Sequence, residues 1–162
     1  MCDNDLDFQT LARGPVTKYF SRHLLEEHLV WYAHQKYQIY QFDARPWYSL
    51  DNFYSDMHAG FQFPDYFGRN WDAFNDCLTD IASTTGKVLV VVINFDDWYQ
   101  EEEQSASLFL DYMAEQTYRF LLTSQRWITL IQSNNPGLQT RSIGANPVHW
   151  NSLEWMNQDR GL

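Results

Sequence analysis

The segment from Lys87 to Asn94, with the sequence KVLVVVIN, constrains the fold more than any other part of the chain. Its central six residues are all apolar, so a strand built from them presents an apolar side chain on both faces. Such strands are typical of the interior of a parallel sheet covered by helices on each side. The segment therefore predicts an α/β fold.

The neighbouring patterns place this strand in a β-α-α-β-α-β order. Strands are predicted at residues 37–42 and 127–132, and helices at about 49–60, 70–81 and 105–122. Gly60 is expected to stop the first of these helices. With right-handed crossovers, this order gives a small three-stranded parallel sheet flanked by helices.

The 162 residues suit one domain, 1–162, because no linker or repeat interrupts them. Residues 37–133 form its predicted core. Residues 1–36 are expected to be an N-terminal extension, helical over 15–35, and residues 134–162 a C-terminal extension.

Three aspartates lie four residues apart: Asp72, Asp76 and Asp80. In a helix they share one face, and like charges at this spacing repel. The helix dipole favours Asp72 in the first turn but not Asp80 near the other end. The row indicates a surface whose compensating cations lie on another molecule. The opposite face of the same helix carries an apolar stripe: Trp71, Phe74, Leu78 and Ile81.

The net charge of −10 is unevenly distributed. Between Pro46 and Tyr118 lie 13 of the 21 acidic residues, but only Arg69 and Lys87 of the 11 basic ones. Nucleic acid and anionic membranes are repelled by such a segment, whereas a cationic protein is attracted to it. A general role of the acidity in solubility stays open at this point.

The stretch from Phe63 to Asp80, FPDYFGRNWDAFNDCLTD, closely resembles the loop-and-helix signature of the barstar family of ribonuclease inhibitors. The matching order of strands and helices extends the resemblance to about residues 37–133. It implies a barstar-like α/β fold. It also implies that this loop and helix plug the active site of a small basic ribonuclease, with carboxylates in the positions of RNA phosphates.

The resemblance also implies which residues contact the partner. Asp76 matches the carboxylate that enters the catalytic phosphate site, whereas Glu115 is matched only across a gap. At Asn75, Asp80 and Ile81 the chain departs from the family's namesake, which implies a shared mode of inhibition with a different partner. The implied partner-binding residues are Tyr66, Gly68, Asn70, Asp72, Asn75, Asp76, Asp80 and Glu115. For Asn70 a role as helix cap stays open, as does packing beneath the loop for Tyr66.

The function implied is that of an immunity protein that blocks a basic ribonuclease toxin, as a monomer or as a heterodimer with the toxin. The alternative is an acidic binding module for a basic protein that is not a nuclease. The segment Asp96–Glu103 reads as a solvated loop and helix start, with a second contact patch around Trp98 and Tyr99 as an alternative.

Other classes of function lack support in the sequence. No activated nucleophile, convergent histidine or phosphate-binding loop accompanies the aspartates, so catalytic residues, metal ligands and cofactors are not expected. Cys2 and Cys77 do not suggest a disulfide framework. No signal peptide or membrane span is apparent, and a cytoplasmic location is expected.

Overall fold

The computed structural model describes residues 5–84 and 86–162, with the side chains of 5–81 and 86–162. Its elements in chain order are α1 (Leu6–Ala12), β1 (Val16–Tyr19), α2 (Arg22–His34), β2 (Gln38–Asp43), α3 (Leu50–Phe61), α4 (Trp71–Thr84), β3 (Lys87–Ile93), α5 (Phe95–Glu101), α6 (Glu103–Leu122), β4 (Arg126–Gln132), β5 (His149–Trp150) and a 3-10 turn at Asn157–Arg160. The α/β class is confirmed and the structure fits a barstar-like fold, but two helices, α5 and α6, lie between β3 and β4 where the sequence predicts one.

The parallel sheet has five strands in the order β2-β3-β4-β1-β5, so the prediction of three strands is wrong. The two additional strands come from the two extensions. β1 pairs with β4 from Val16, opposite Thr129, to Tyr19, opposite Gln132. Residues 15–35 were expected to be helical, but only α2 is a helix there. The sequence does not predict a strand at β1, because its four residues show no apolar pattern. All four are nevertheless buried, since β1 lies between β4 and β5 in the sheet.

Both faces of the sheet are covered by helices, as the apolar run in β3 predicts. Val88, Val90 and Val92 belong to the large core beneath α3–α6. Leu89 and Val91 belong to a smaller core with residues of α2. The N-terminal extension therefore supplies the cover of the second face.

Gly60 does not end α3, which runs to Phe61 and closes with Gln62 in the left-handed conformation at φ 56°. A Cβ atom on Gly60 would overlap Cε1 of the Phe42 ring. The glycine is therefore required by the close approach of the helix to β2, not by the helix terminus.

The acidic segment 96–103 is more structured than expected. It forms α5 and the start of α6, and Trp98 and Tyr99 are buried. The Trp98 ring stacks on Phe53 with centroids 5.0 Å apart. The aromatic part of a second contact patch is therefore packed in the core.

The C-terminal extension is fastened to the N-terminal one by buried polar contacts. The Glu154 carboxylate accepts hydrogen bonds from the backbone N–H groups of Phe20 and Ser21, at 3.0 and 2.9 Å. Lys18 is buried, and its Nζ donates to the Leu138 carbonyl at 2.9 Å. Burial and the nearby charge of Arg160 lower the pKa of Lys18 to about 8. The two extensions thus stabilise each other along the β1 edge.

None of the helices in the described part of the chain has the length and apolar composition needed to cross a bilayer. Cys77 is a free, buried thiol, and Cys2 lies outside the described residues.

Candidate functional site

The aromatic residues of the loop between α3 and α4 differ in their exposure to solvent. Phe63 and Phe67 are buried, and their rings pack 5.1 Å apart. Tyr66 between them is 81% exposed. The two phenylalanines anchor the loop in the core, so the Tyr66 ring is left available to a partner rather than packed beneath the loop.

Arg69 fixes the other half of this loop to α3. One of its guanidinium nitrogens, Nη2, donates to the Asp51 carbonyl at 2.8 Å, to Asp51 Oδ1 at 2.6 Å and to Ser55 Oγ at 2.8 Å. The backbone of Arg69 is left-handed at φ 50°, an unfavourable region for a residue with a side chain. The one cation of the loop is thus bound within the molecule, an arrangement that sequence reasoning missed because Asp51 and Ser55 carry no local signal for it.

Asn70 caps α4. Its Oδ1 accepts from the Ala73 N–H at 2.8 Å, and its Nδ2 donates to the Gly68 carbonyl at 3.0 Å. A Cβ atom on Gly68 would lie 3.2 Å from that Nδ2, so a side chain there would press on the cap. Both the oxygen and the nitrogen of the Asn70 side-chain amide are hydrogen-bonded, and the absence of a side chain at Gly68 makes this arrangement possible.

Helix α4 divides as the sequence predicts into an apolar face and an acidic face. Asp72, Asp76 and Asp80 are exposed. The carboxylates of Asp72 and Asp76 make no hydrogen bond or ion pair within the described part of the chain. The opposite residues pack on the large core: Trp71, Phe74, Leu78 and Ile81.

Helix α6 flanks this acidic surface. Tyr112 stacks on Trp71 with ring centroids 5.6 Å apart. Burial and the negative charges of Asp72 and Glu115 raise the pKa of Tyr112. Glu115 is exposed and accepts from Arg119 at 3.3 Å. The structure therefore brings Glu115 to the edge of the α4 row, although 35 residues separate it from Asp80.

Arg119 joins the two helices, because its Nη1 also donates to Thr79 Oγ1 at 2.6 Å. Asn75 faces the same junction: it is half-buried, and its Oδ1 accepts from Gln116 Nε2 at 3.1 Å. Of the eight predicted contact residues, Asn75 is thus committed to helix packing through its side-chain oxygen. Arg119 was not identified from sequence, and an i, i+4 pairing with Glu115 was the available signal.

Cys77 lies between the acidic and apolar faces. Burial and the charges of Asp80 and Asp76 raise the pKa of its thiol. A raised pKa keeps the thiol protonated and unreactive, as expected for a small core residue.

Within the described residues, no three histidine, cysteine or carboxylate side chains are grouped so as to hold a metal ion.

The family model for barstar, described as barnase inhibitor, matches residues 37–127, more than half of the chain. The chain belongs to the barstar family. The match spans the loop, α4 and α6 that build the acidic surface, and it leaves out α1, β1, α2 and β5. The barstar family is one of inhibitors rather than enzymes, so family membership indicates a protein partner. A comparison with curated proteins finds no match.

Proposed function

We propose that this protein binds and blocks the active site of a basic ribonuclease with an inhibitory surface made of the loop 62–70, α4 and Glu115. The observation that carries the proposal is the pair of exposed carboxylates Asp72 and Asp76, which have no cation of their own within the described residues. Family membership supports it, because the match includes this surface.

The chemistry of a ribonuclease site supports the same reading. Arg, Lys and His side chains that hold a phosphodiester bind carboxylates equally well through charge-assisted hydrogen bonds. Asp76 lies in the middle of α4, where the helix dipole offers no stabilisation. Its repulsion by Asp72 and Asp80 is relieved when a cationic site approaches. Binding to a cationic partner thus removes the electrostatic repulsion that destabilises the helix in the free protein.

The internal binding of Arg69 also favours a cationic partner. With its guanidinium held against Asp51 and Ser55, Arg69 does not reach across to neutralise Asp72 or Asp76. The field of the surface therefore remains negative, which accelerates association with a basic protein.

The proposed biological role is immunity to a ribonuclease toxin. Departures from the family's namesake at Asn75, Asp80 and Ile81 support a partner other than barnase, since Asn75 is turned toward Gln116 and Ile81 is half-buried. Tyr66 then supplies the one large exposed aromatic side chain on the loop.

The test uses three immobilised proteins: wild type, Asp72→Ala/Asp76→Ala, and Glu26→Ala/Asp159→Ala. The last pair removes two exposed carboxylates whose side chains have no partner in the described structure and which lie away from α4. Proteins captured from an extract of the source cells are identified and assayed for RNA cleavage with and without the inhibitor. Purified barnase is assayed in parallel.

The proposal requires a basic ribonuclease that is held by wild type and by the Glu26/Asp159 variant, released by the Asp72/Asp76 variant, and inactive in the complex. Capture of a basic protein without nuclease activity would instead identify the chain as an acidic binding module. Equal loss of capture in both double variants would show that net charge alone, rather than this surface, governs binding.

A further inference from the structure

A cavity of about 260 Å³ lies on the other side of α6 from Glu115 and Arg119. Its walls come from three separate parts of the chain. The turn at residues 11–15 and the segment 146–149 belong to the two extensions, and Thr117, Tyr118 and Leu121 belong to α6. The cavity therefore exists only because both extensions pack against the barstar-like core. Its volume lies just below the usual range of small-molecule sites, so it suits only a small ligand.

The polar side chains that line this cavity include several hydrogen-bond donors, and no carboxylate lines it. Arg13 and His149 contribute nitrogen donors, Tyr118 contributes a hydroxyl, and Asn146 contributes an amide. In a chain with 21 acidic residues and a net charge of −10, a cavity lined by Arg and His without an acid is unexpected. This lining is electrostatically suited to an anion.

Arg13 is the one permanently charged side chain among the residues that line the cavity. Its Nε is fully buried and has no acceptor, and its guanidinium makes no ion pair within the described residues. A buried N–H donor without an acceptor is costly and calls for an explanation. The nearest acid on α1, Asp7, is already bound by Tyr37 and Arg126. Among the described residues, Arg13 thus has no internal counterion.

A second, much smaller cavity of about 10 Å³ is also lined by Arg13. It is lined by Thr17, which is 2% exposed and whose Oγ1 also lacks a partner. This space suits a single water molecule, which is sufficient for a neutral hydroxyl. It is too small to hold an anion, so of the two cavities that Arg13 lines only the larger one has room for an anionic partner.

We propose that the cavity binds a small organic anion, with its carboxylate or phosphate group on Arg13 and its apolar part between the α6 and turn residues. Leu11, Pro15, Leu121 and Pro147 provide the apolar walls. The anionic group meets the guanidinium, which suits the planar geometry of a carboxylate or the oxygens of a phosphate. The site is separate from the inhibitory surface and does not depend on ribonuclease binding.

The probes are benzoate, phenyl phosphate and the uncharged benzamide, titrated calorimetrically into the full chain at constant ionic strength. We expect saturable binding of benzoate or phenyl phosphate, and at least about tenfold weaker binding of benzamide, because hydrogen bonds between charged groups are the stronger ones. Equal binding of benzamide, or no saturable binding of either anion, would overturn the proposal.

Two variants locate the anion. Arg13→Gln should weaken anion binding by about tenfold or more, whereas Arg22→Gln, which removes an exposed cation from the start of α2, should leave it unchanged. Unchanged binding by folded Arg13→Gln contradicts the assignment. If that variant does not fold, amide shifts in the wild type decide: shifts at Gly14, Leu121 and Asn146 support the site, and shifts confined to α4 refute it.

Discussion

The guanidinium of Arg69 and the carboxylate of Asp51 lie 2.6 Å apart and join the loop before α4 to the first turn of α3. The same nitrogen also holds the Asp51 carbonyl and Ser55 Oγ. A positive residue at the edge of an acidic surface thus acts as a brace for the loop.

Arg69→Ala separates the effect of loop geometry from the effect of charge. Removal of a cation makes the surface more negative and should speed association with a basic partner. Loss of the brace should nevertheless raise the dissociation constant, because the loop must then be ordered on binding. Surface plasmon resonance measures both rates. An increase in affinity would show that charge outweighs geometry. The free energy of unfolding should fall by about 1 kcal/mol or less, since the pair is exposed.

Asp76→Ala should weaken binding of the captured ribonuclease by on the order of 2 kcal/mol or more, which is the level of an interface hot spot. The physical reason is the loss of charge-assisted hydrogen bonds in a desolvated site. Glu26→Ala, another exposed carboxylate in a helix, is the matched control and should bind like wild type. Asp96 is a poor control, because its Oδ1 accepts from the Asn134 N–H at 3.1 Å. Similar losses from Asp76→Ala and Glu26→Ala would contradict a local contact.

Asn70→Ala should lower the free energy of unfolding by about 1 kcal/mol, because the cap of α4 and the bond to Gly68 are both lost. Asn70→Asp should cost less, since a carboxylate oxygen still accepts from the Ala73 N–H near the positive helix end. Urea denaturation compares the two variants with wild type. An equal loss of stability in both variants would mean that the hydrogen bond from Asn70 Nδ2 to the Gly68 carbonyl contributes more than the helix cap.

Gly60→Ala should destabilise the protein by about 1–3 kcal/mol, although alanine is ordinarily the better helix former. The new methyl group would overlap the Phe42 ring, so either the helix or the ring on β2 has to move. Ala59→Gly, at an exposed position of the same helix, serves as the propensity control. Thermal unfolding followed by circular dichroism measures both changes. A stabilising Gly60→Ala would mean that Phe42 turns away at little cost.

The buried Lys18 makes stability depend on pH. Its pKa is about 8 in the folded protein against 10.5 unfolded, so the unfolded chain binds more protons between these values. The free energy of unfolding contributed by Lys18 should therefore rise as pH increases from about 8 toward 10.5. Urea denaturation of wild type and Lys18→Met at pH 7, 8, 9 and 10 isolates this effect, because other groups titrate in both. A difference between the two proteins that is constant over this range would contradict it.

The sequence predicted the core fold where side-chain patterns are strong and local. The apolar run of β3 indicated a strand covered on both faces, and the cores on its two sides confirm this. The stripe that includes Phe74 and Leu78 set the orientation of α4 and hence which carboxylates are exposed. These features follow from the spacing of apolar and polar residues along the chain, which can be read from residues that are close in sequence.

The remaining features depend on contacts between distant segments. β1 became a strand because the β4 edge was available for pairing, and β5 because β1 then offered a new edge, not because of any pattern in Val16–Tyr19. Glu115 joined the acidic surface through the packing of Tyr112 on Trp71, and Asn75 turned toward Gln116. The Nε atom of Arg13 is buried without a partner beside the cavity that both extensions form with α6. The sequence by itself determined the parallel core and its acidic helix. Tertiary structure decided which charges are braced, exposed or unpaired, because burial and partners are properties of the packed chain.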